Sequence, residues 1–71
     1  MDKNTLWQTT LDQLRLELSA AEFQTWLAHT TLENYKNGTL EIGCPSSYIK
    51  KKLDAAYRTQ LKNVVDDITS S

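Results

Sequence analysis

The chain has 71 residues, a formal net charge of −1 at pH 7 and a sequence pI near 5.7. A chain this short buries only about 60% of the surface that its unfolded form exposes, which excludes a large enclosed pocket. The charge balance also excludes a strongly basic domain that binds nucleic acid through phosphate neutralisation over its whole surface. We therefore predict one domain over residues 1–71, with its core at about 5–68, that acts through its surface.

The sequence carries no sign of a membrane or secretory segment. No apolar run approaches the roughly 18 residues of a membrane span, and the N-terminus lacks the organisation of a signal peptide. The single cysteine, Cys44, cannot form an internal disulfide, which agrees with a reducing compartment. These features predict a cytoplasmic protein.

A first helix is predicted over residues 5–18. Apolar residues recur there at spacings of four, three and four, which places them on one stripe of a 3.6-residue helix: Trp7, Leu11, Leu14 and Leu18. Leu6 and Leu16 fall off this stripe, so both are predicted to be exposed apolar groups on one flank.

A second, short helix is predicted to begin at Ser19, because Ser19 and Glu22 have the Ser-x-x-Glu spacing of a capping box. Phe23, Trp26 and Leu27 supply its predicted core face. The pattern stops near residues 29–31, where the helix is predicted to end.

A β-hairpin is predicted next, because the apolar spacing changes from helical to alternating. Leu32, with Asn34 on the same face, belongs to the first strand, and Leu40 and Ile42 belong to the second. The intervening Asn37–Gly38 is a strong signal for a tight turn.

A long third helix follows Pro45, with Ser46 or Ser47 as its N-cap. Its predicted stripe continues for about five turns: Ile49, Leu53, Ala56, Tyr57, Leu61, Val64 and Ile68. The predicted fold class is therefore α/β, with two helices, a β-hairpin and a long third helix.

The run Lys50–Lys52 at the start of this helix has two interpretations. Successive helical residues are about 100° apart, so the three lysines cannot share one face. They are either solvated edges of an amphipathic helix or part of an anion site with the free amides after Ser46. Tyr48 is predicted to lie at the edge of the apolar stripe, with its ring partly exposed beside them.

The sequence contains no set of residues that is typical of a catalytic site. His29 and Cys44 are each alone, and no closely spaced set of His, Cys or carboxylates has metal-ligand spacing. Asp66 and Asp67 are adjacent, so a helix directs them apart and they cannot share a proton. We predict no enzyme activity, no metal and no cofactor.

The order of these features resembles domain I, the N-terminal domain, of the bacterial chromosomal replication initiator DnaA family. The resemblance covers about residues 6–65. It rests on Leu6-Trp7 followed by Leu11 and Leu14, on Glu22-Phe23-x-x-Trp26-Leu27, on a Leu-x-Ile strand running into Pro45, and on the aromatics Tyr48 and Tyr57. The family often has Trp where Lys52 stands here.

The resemblance implies a compact KH-like α/β domain that serves as a protein-interaction module. It implies self-association and contacts with the replicative helicase and regulatory proteins, together with a weak contact to single-stranded DNA. By position, Trp7 matches a residue of self-association, which the neighbouring Leu6 would support. Glu22 matches a helicase contact, and Tyr48 matches a helicase and nucleic-acid contact.

One further implication of the resemblance and two alternative functions stay open at this point. In the family a final strand follows the third helix, so we expect the 71 residues to be a piece of a longer initiator or a shorter relative. The alternative from another class is a small KH-like single-stranded nucleic-acid binder using Tyr48, Lys50, Lys51 and Lys52. The lack of a Gly-x-x-Gly loop counts against it. A stand-alone antitoxin-like or phage regulatory domain is the third possibility.

Overall fold

The computed structural model describes residues 2–36 and 39–70. Its element order is a helix, a short helix, a β-hairpin and a long C-terminal helix, so the predicted α/β class is confirmed. The bounds are α1 (Lys3–Glu17), α2 (Ala20–Glu22), a first π-helical turn (Phe23–Leu27), β1 (Thr31–Lys36), β2 (Thr39–Gly43), α3 (Ser47–Lys52), a second π-helical turn (Leu53–Tyr57) and α4 (Arg58–Thr69).

Helix α1 is buried along a wider face than the sequence predicts. It packs against both α4 and β1, so two rows of side chains turn inward: Leu6, Trp7, Thr10, Leu11 and Leu14. Leu6 is 5% exposed, and the prediction that it is an exposed flank residue is wrong. The same prediction is confirmed for Leu16, which is 82% exposed.

The second helix begins as predicted, with Ser19 as its N-cap. The Ser19 hydroxyl accepts from the Glu22 amide at 3.1 Å. The chain then widens into the first π-helical turn, where the Ala28 amide donates to the Phe23 carbonyl five residues back. This wider turn keeps Phe23 and Leu27 on the buried face and leaves Trp26 at its edge, half-buried. Trp26, predicted as a core residue, packs against the core but is only partly buried.

The hairpin is antiparallel and contains a bulge. Leu32 pairs with Ile42 and Tyr35 pairs with Leu40, while the register shifts between Leu32 and Asn34. One extra residue reverses the faces beyond it, so Asn34 is exposed and Tyr35 packs on the core. Asn34 does not share the face of Leu32, contrary to prediction. The predicted Asn37–Gly38 turn lies outside the described residues.

The long helix runs for 23 residues and is capped by Ser46, whose hydroxyl accepts from the Ile49 amide at 3.3 Å. Most of its predicted stripe is buried, but Ala56 is exposed and Val65 is buried in addition. The second π-helical turn holds Leu53 and Tyr57 on the core side, which directs Ala56 to solvent.

Residues of α1, β1, α4 and the two π-helical turns meet in one apolar cluster: Leu6, Trp7, Leu11, Leu14, Phe23, Leu27, Leu32, Leu53, Tyr57, Leu61, Val64 and Val65. Within residues 2–36 and 39–70, no helix combines the length and the apolar character that crossing a membrane requires.

Candidate functional site

An aromatic cluster, formed by Trp26, Tyr48 and Lys52, lies on the surface where the second helix meets the start of α3. The rings of Trp26 and Tyr48 have their centroids 5.6 Å apart and are tilted by 52°. The Lys52 ammonium lies 5.3 Å from the centroid of the Trp26 ring, within the range of a cation–π contact. Tyr48 is 71% exposed, so the cluster presents an aromatic face to solvent.

Local structure explains why these three residues meet. The Ser46 cap begins α3 two residues before Tyr48, which places Tyr48 in the first turn and Lys52 one turn further on the same side. Trp26 reaches them from the first π-helical turn, whose geometry keeps its ring at the rim of the core. The cluster therefore depends on a helix cap at one element and on a π-helical turn at the other.

Glu22 adjoins this cluster, and its carboxylate is fixed at both oxygens. Oε2 accepts from the Tyr57 hydroxyl at 3.0 Å, and Oε1 accepts from the Ser19 hydroxyl at 3.1 Å. The Tyr57 hydrogen bond contributes most to lowering the pKa of Glu22, followed by the hydrogen bonds of Ser19, with a smaller attraction from the Lys52 ammonium. Hydrogen bonds to the ionised form hold Glu22 as a carboxylate at neutral pH.

Tyr57 supplies the buried side of this contact. Its ring is 7% exposed and belongs to the core, while its hydroxyl reaches outward to Glu22. Burial raises the pKa of Tyr57, and the hydrogen bond to Glu22 adds to the rise. The hydroxyl is therefore a neutral donor.

Sequence reasoning placed Glu22, Tyr48 and Lys52 at candidate contact sites, and the structure brings these three together. It missed Trp26 and Tyr57, which were placed in the core stripes of their helices. A signal existed for both. For Tyr57 it is that a buried Tyr hydroxyl normally finds a hydrogen-bond partner. For Trp26 it is that this residue follows Glu22 by four positions, which places the two side chains on the same side of a helix.

The other two lysines of the predicted nucleic-acid surface make no cation–π contact with the rings of the described residues. Lys50 lines a groove between β2 and α3 together with Cys44 and Asp54, and the Lys51 side chain makes no hydrogen bond or ion pair to residues 2–36 or 39–70. Burial is the main cause that raises the pKa of the Cys44 thiol, and the nearby Lys50 opposes it. Among the three lysines, Lys52 is the one whose ammonium lies over a ring of the aromatic cluster, that of Trp26.

Leu6 and Trp7, the predicted self-association residues, lie in the core. Trp7 is 4% exposed, and its indole N–H donates to the Thr30 carbonyl at 3.3 Å and to the Thr30 hydroxyl at 3.2 Å. Their role in self-association stays a prediction, and the exposed apolar group of this helix is Leu16.

The arrangement offers recognition chemistry, in which aromatic faces, one cation and one fixed anion meet at the surface. In the described part of the chain, no group of three or more His, Cys, Asp or Glu side chains could hold a metal ion.

Comparison with known proteins agrees with the resemblance noted in the sequence. The family described as "DnaA N-terminal domain" matches residues 4–67. The chain is 31% identical over 68 residues, 96% of its length, to the chromosomal replication initiator protein DnaA of Roseiflexus castenholzii (strain DSM 13941 / HLO8). It is 34% identical over 65 residues, 92% of its length, to the same protein of Trichormus variabilis (strain ATCC 29413 / PCC 7937). The chain spans 14% of the length of each relative. It belongs to the DnaA N-terminal domain family.

Proposed function

We propose that the chain is a protein-interaction module of a replication initiator. Its aromatic cluster and Glu22 form the surface that binds the replicative helicase or a regulatory protein. The observation that carries this proposal is the position of Tyr48, a 71% exposed aromatic residue that rests on a half-buried Trp26. A large exposed ring beside a second ring is typical of the anchors of protein interfaces.

Two opposite charges lie beside the two rings and favour one orientation of a bound partner. Lys52 lies over Trp26, and the Glu22 carboxylate lies close enough to Lys52 for the ammonium to lower its pKa. A partner that places an apolar side chain on the rings is oriented by the two opposite charges, because like charges in the wrong register repel.

The test is the binding of the replicative helicase from the organism that supplies this chain, measured by isothermal titration calorimetry. Tyr48→Ser removes the exposed ring and is expected to weaken binding by about 10-fold or more, as for an interface anchor. Leu16→Ser is the matched control, because it removes a similarly exposed apolar side chain from the outer side of α1. Equal affinity of Tyr48→Ser and the unmodified chain would contradict the proposal.

We also propose that self-association of the chain uses the surface of α1, with Leu16 as its exposed apolar contact and with Leu6 and Trp7 acting from the core to hold that helix in place. Sedimentation equilibrium of the Leu16→Ser and Tyr48→Ser variants tests this proposal. Leu16→Ser is expected to reduce the concentration-dependent mass, and Tyr48→Ser is the control. A mass that rises with concentration identically in both variants and in the unmodified chain would reject Leu16 as the contact.

A second candidate function is weak binding of single-stranded nucleic acid at the same cluster. The observation that favours it is the proximity of the Tyr48 ring to the Lys52 ammonium across Trp26. Stacking of a base on one aromatic ring contributes about 1–3 kcal/mol, and three lysines, about 100° apart along a helix, reach few phosphates at once. This binding is weaker and more sensitive to salt than the protein contact.

A further inference from the structure

Two exposed glutamates are each held in one orientation: Glu17, by the side chains of Gln13 and Gln60 at 3.1 Å, and Glu22, which adjoins the aromatic cluster. The two carboxylate oxygens of Glu22 accept from Tyr57 and Ser19 at 3.0 and 3.1 Å. Glu41, which is also exposed, accepts no side-chain hydrogen bond from the residues that the structure describes. The Tyr57 donor comes from 35 residues along the chain, so the two helices together fix this carboxylate.

We propose that Tyr57 is a positioning residue, which holds the Glu22 carboxylate in place to receive a basic side chain of the bound partner. This inference rests on the proposed function and deepens it. Tyr57 is 7% exposed, so it does not touch the partner and acts only through Glu22.

The acceptor capacity of Glu22 supports a basic side chain as its ligand. A carboxylate offers about four lone-pair sites, and the Tyr57 and Ser19 hydroxyls occupy one on each oxygen. The remaining sites face solvent, because Glu22 is exposed. Charge-assisted hydrogen bonds from Arg or Lys are the strongest contacts that such sites make.

The neighbouring Lys52 defines the rest of the partner's chemistry. Its ammonium is held over the Trp26 ring, one turn from Tyr48, and it repels a basic group that approaches from that side. The fitting partner is therefore a protein segment with an apolar side chain for the two rings, a basic group opposite Glu22 and an acidic group opposite Lys52. A carboxylate that is already ordered loses less conformational entropy when this contact forms.

The experiment compares Tyr57→Phe, Tyr35→Phe and Glu22→Gln in titrations with the same helicase. Tyr57→Phe keeps the ring in the core and removes only the hydroxyl. Tyr35→Phe is the matched control, because Tyr35 also packs on the core but its hydroxyl makes no hydrogen bond to residues 2–36 or 39–70. We expect about 2- to 10-fold weaker binding for Tyr57→Phe, a loss at least as large for Glu22→Gln, and no change for Tyr35→Phe.

A second measurement does not depend on the partner. A carbon-detected NMR titration of the Glu22 carboxyl should show a higher pKa in Tyr57→Phe than in the unmodified chain. An unchanged Glu22 pKa, or full helicase affinity in Tyr57→Phe while Glu22→Gln binds weakly, would overturn the positioning role and leave the proposed function standing. If neither Glu22→Gln nor Tyr48→Ser affects binding, both the proposed function and this inference are rejected.

Discussion

At the scale of single residues, the two tryptophans show how a polar atom decides the role of an aromatic side chain. Trp7 turns its indole N–H inward to Thr30, which is itself 6% exposed and donates to the Leu27 carbonyl at 2.7 Å. Trp26 lies at the rim of the core and contacts Tyr48 and Lys52. Trp7 therefore stabilises the fold, and Trp26 supports a surface.

Replacing Trp7 by Phe should destabilise the chain by about 1–3 kcal/mol, because the buried oxygens of Thr30 lose their donor. Truncation to Ala would cost about 3–5 kcal/mol, a large part of the roughly 4–10 kcal/mol that a chain of this size has. Urea unfolding measures the difference. Trp26→Phe is the control and should change the free energy of unfolding less; a larger effect at Trp26 would contradict this assignment of the two residues.

The lowered pKa of Glu22 predicts how stability changes in acid. A carboxyl whose folded-state pKa is lowered contributes stability above its ordinary pKa of 4.5, and this contribution is lost as the pH falls through the lowered value. The free energy of unfolding should therefore decrease less between neutral and acidic pH in Glu22→Gln than in the unmodified chain.

Urea unfolding at a series of pH values measures this difference. The N-cap Asp2, whose pKa is lowered chiefly by the hydrogen bond from the Thr5 amide, adds its own pH dependence to both proteins and cancels in the comparison. Parallel pH profiles would show that Glu22 is not linked to folding.

At the scale of the elements, local hydrogen bonds determine where each helix begins, and packing against the core accompanies the π-helical turns inside the helices. Asp2, Ser19 and Ser46 each accept from an amide three residues later. The two π-helical turns have no such local sequence signal. They occur where the second helix and the long helix each place a pair of apolar residues four apart on the core.

Ser46→Ala should destabilise the chain by about 0.5–2 kcal/mol, because the first turn of α3 loses its capping acceptor. Ser47→Ala is the matched control, since Ser47 is exposed and lies inside the helix. Urea unfolding gives the stabilities, and amide hydrogen exchange of the turn that carries Tyr48 reports local opening. Equal stability of the two variants would show that the cap is not needed.

At the scale of the whole molecule, successive lysines of α3 lie about 100° apart, and Lys52 is the one seen over a ring of the aromatic cluster in the described residues. We therefore expect a short single-stranded oligonucleotide to shift the amides of residues 46–53 at low salt, and to shift them much less near physiological salt. The measurement is an NMR titration that compares these amides with those of residues 5–18. Tight binding that survives physiological salt would favour the nucleic-acid function over the protein contact, and shifts confined to residues 5–18 would leave the lysines as solvated helix positions.

The amino-acid sequence alone predicted the order of the elements, the cap at Ser19, a cap at Ser46 or Ser47, the hairpin and the family. These depend on contacts within about four residues or on a pattern that covers nearly the whole chain. The packing of distant segments determined the burial of Leu6, the partial burial of Trp26 and the contact of Tyr57 with Glu22. Each of these depends on which distant segment covers a side chain: α4 and β1 pack on α1, and Tyr57 reaches Glu22 across 35 residues. Local periodicity places a residue on a face of a helix, but only the packing of the other elements determines how wide that face is.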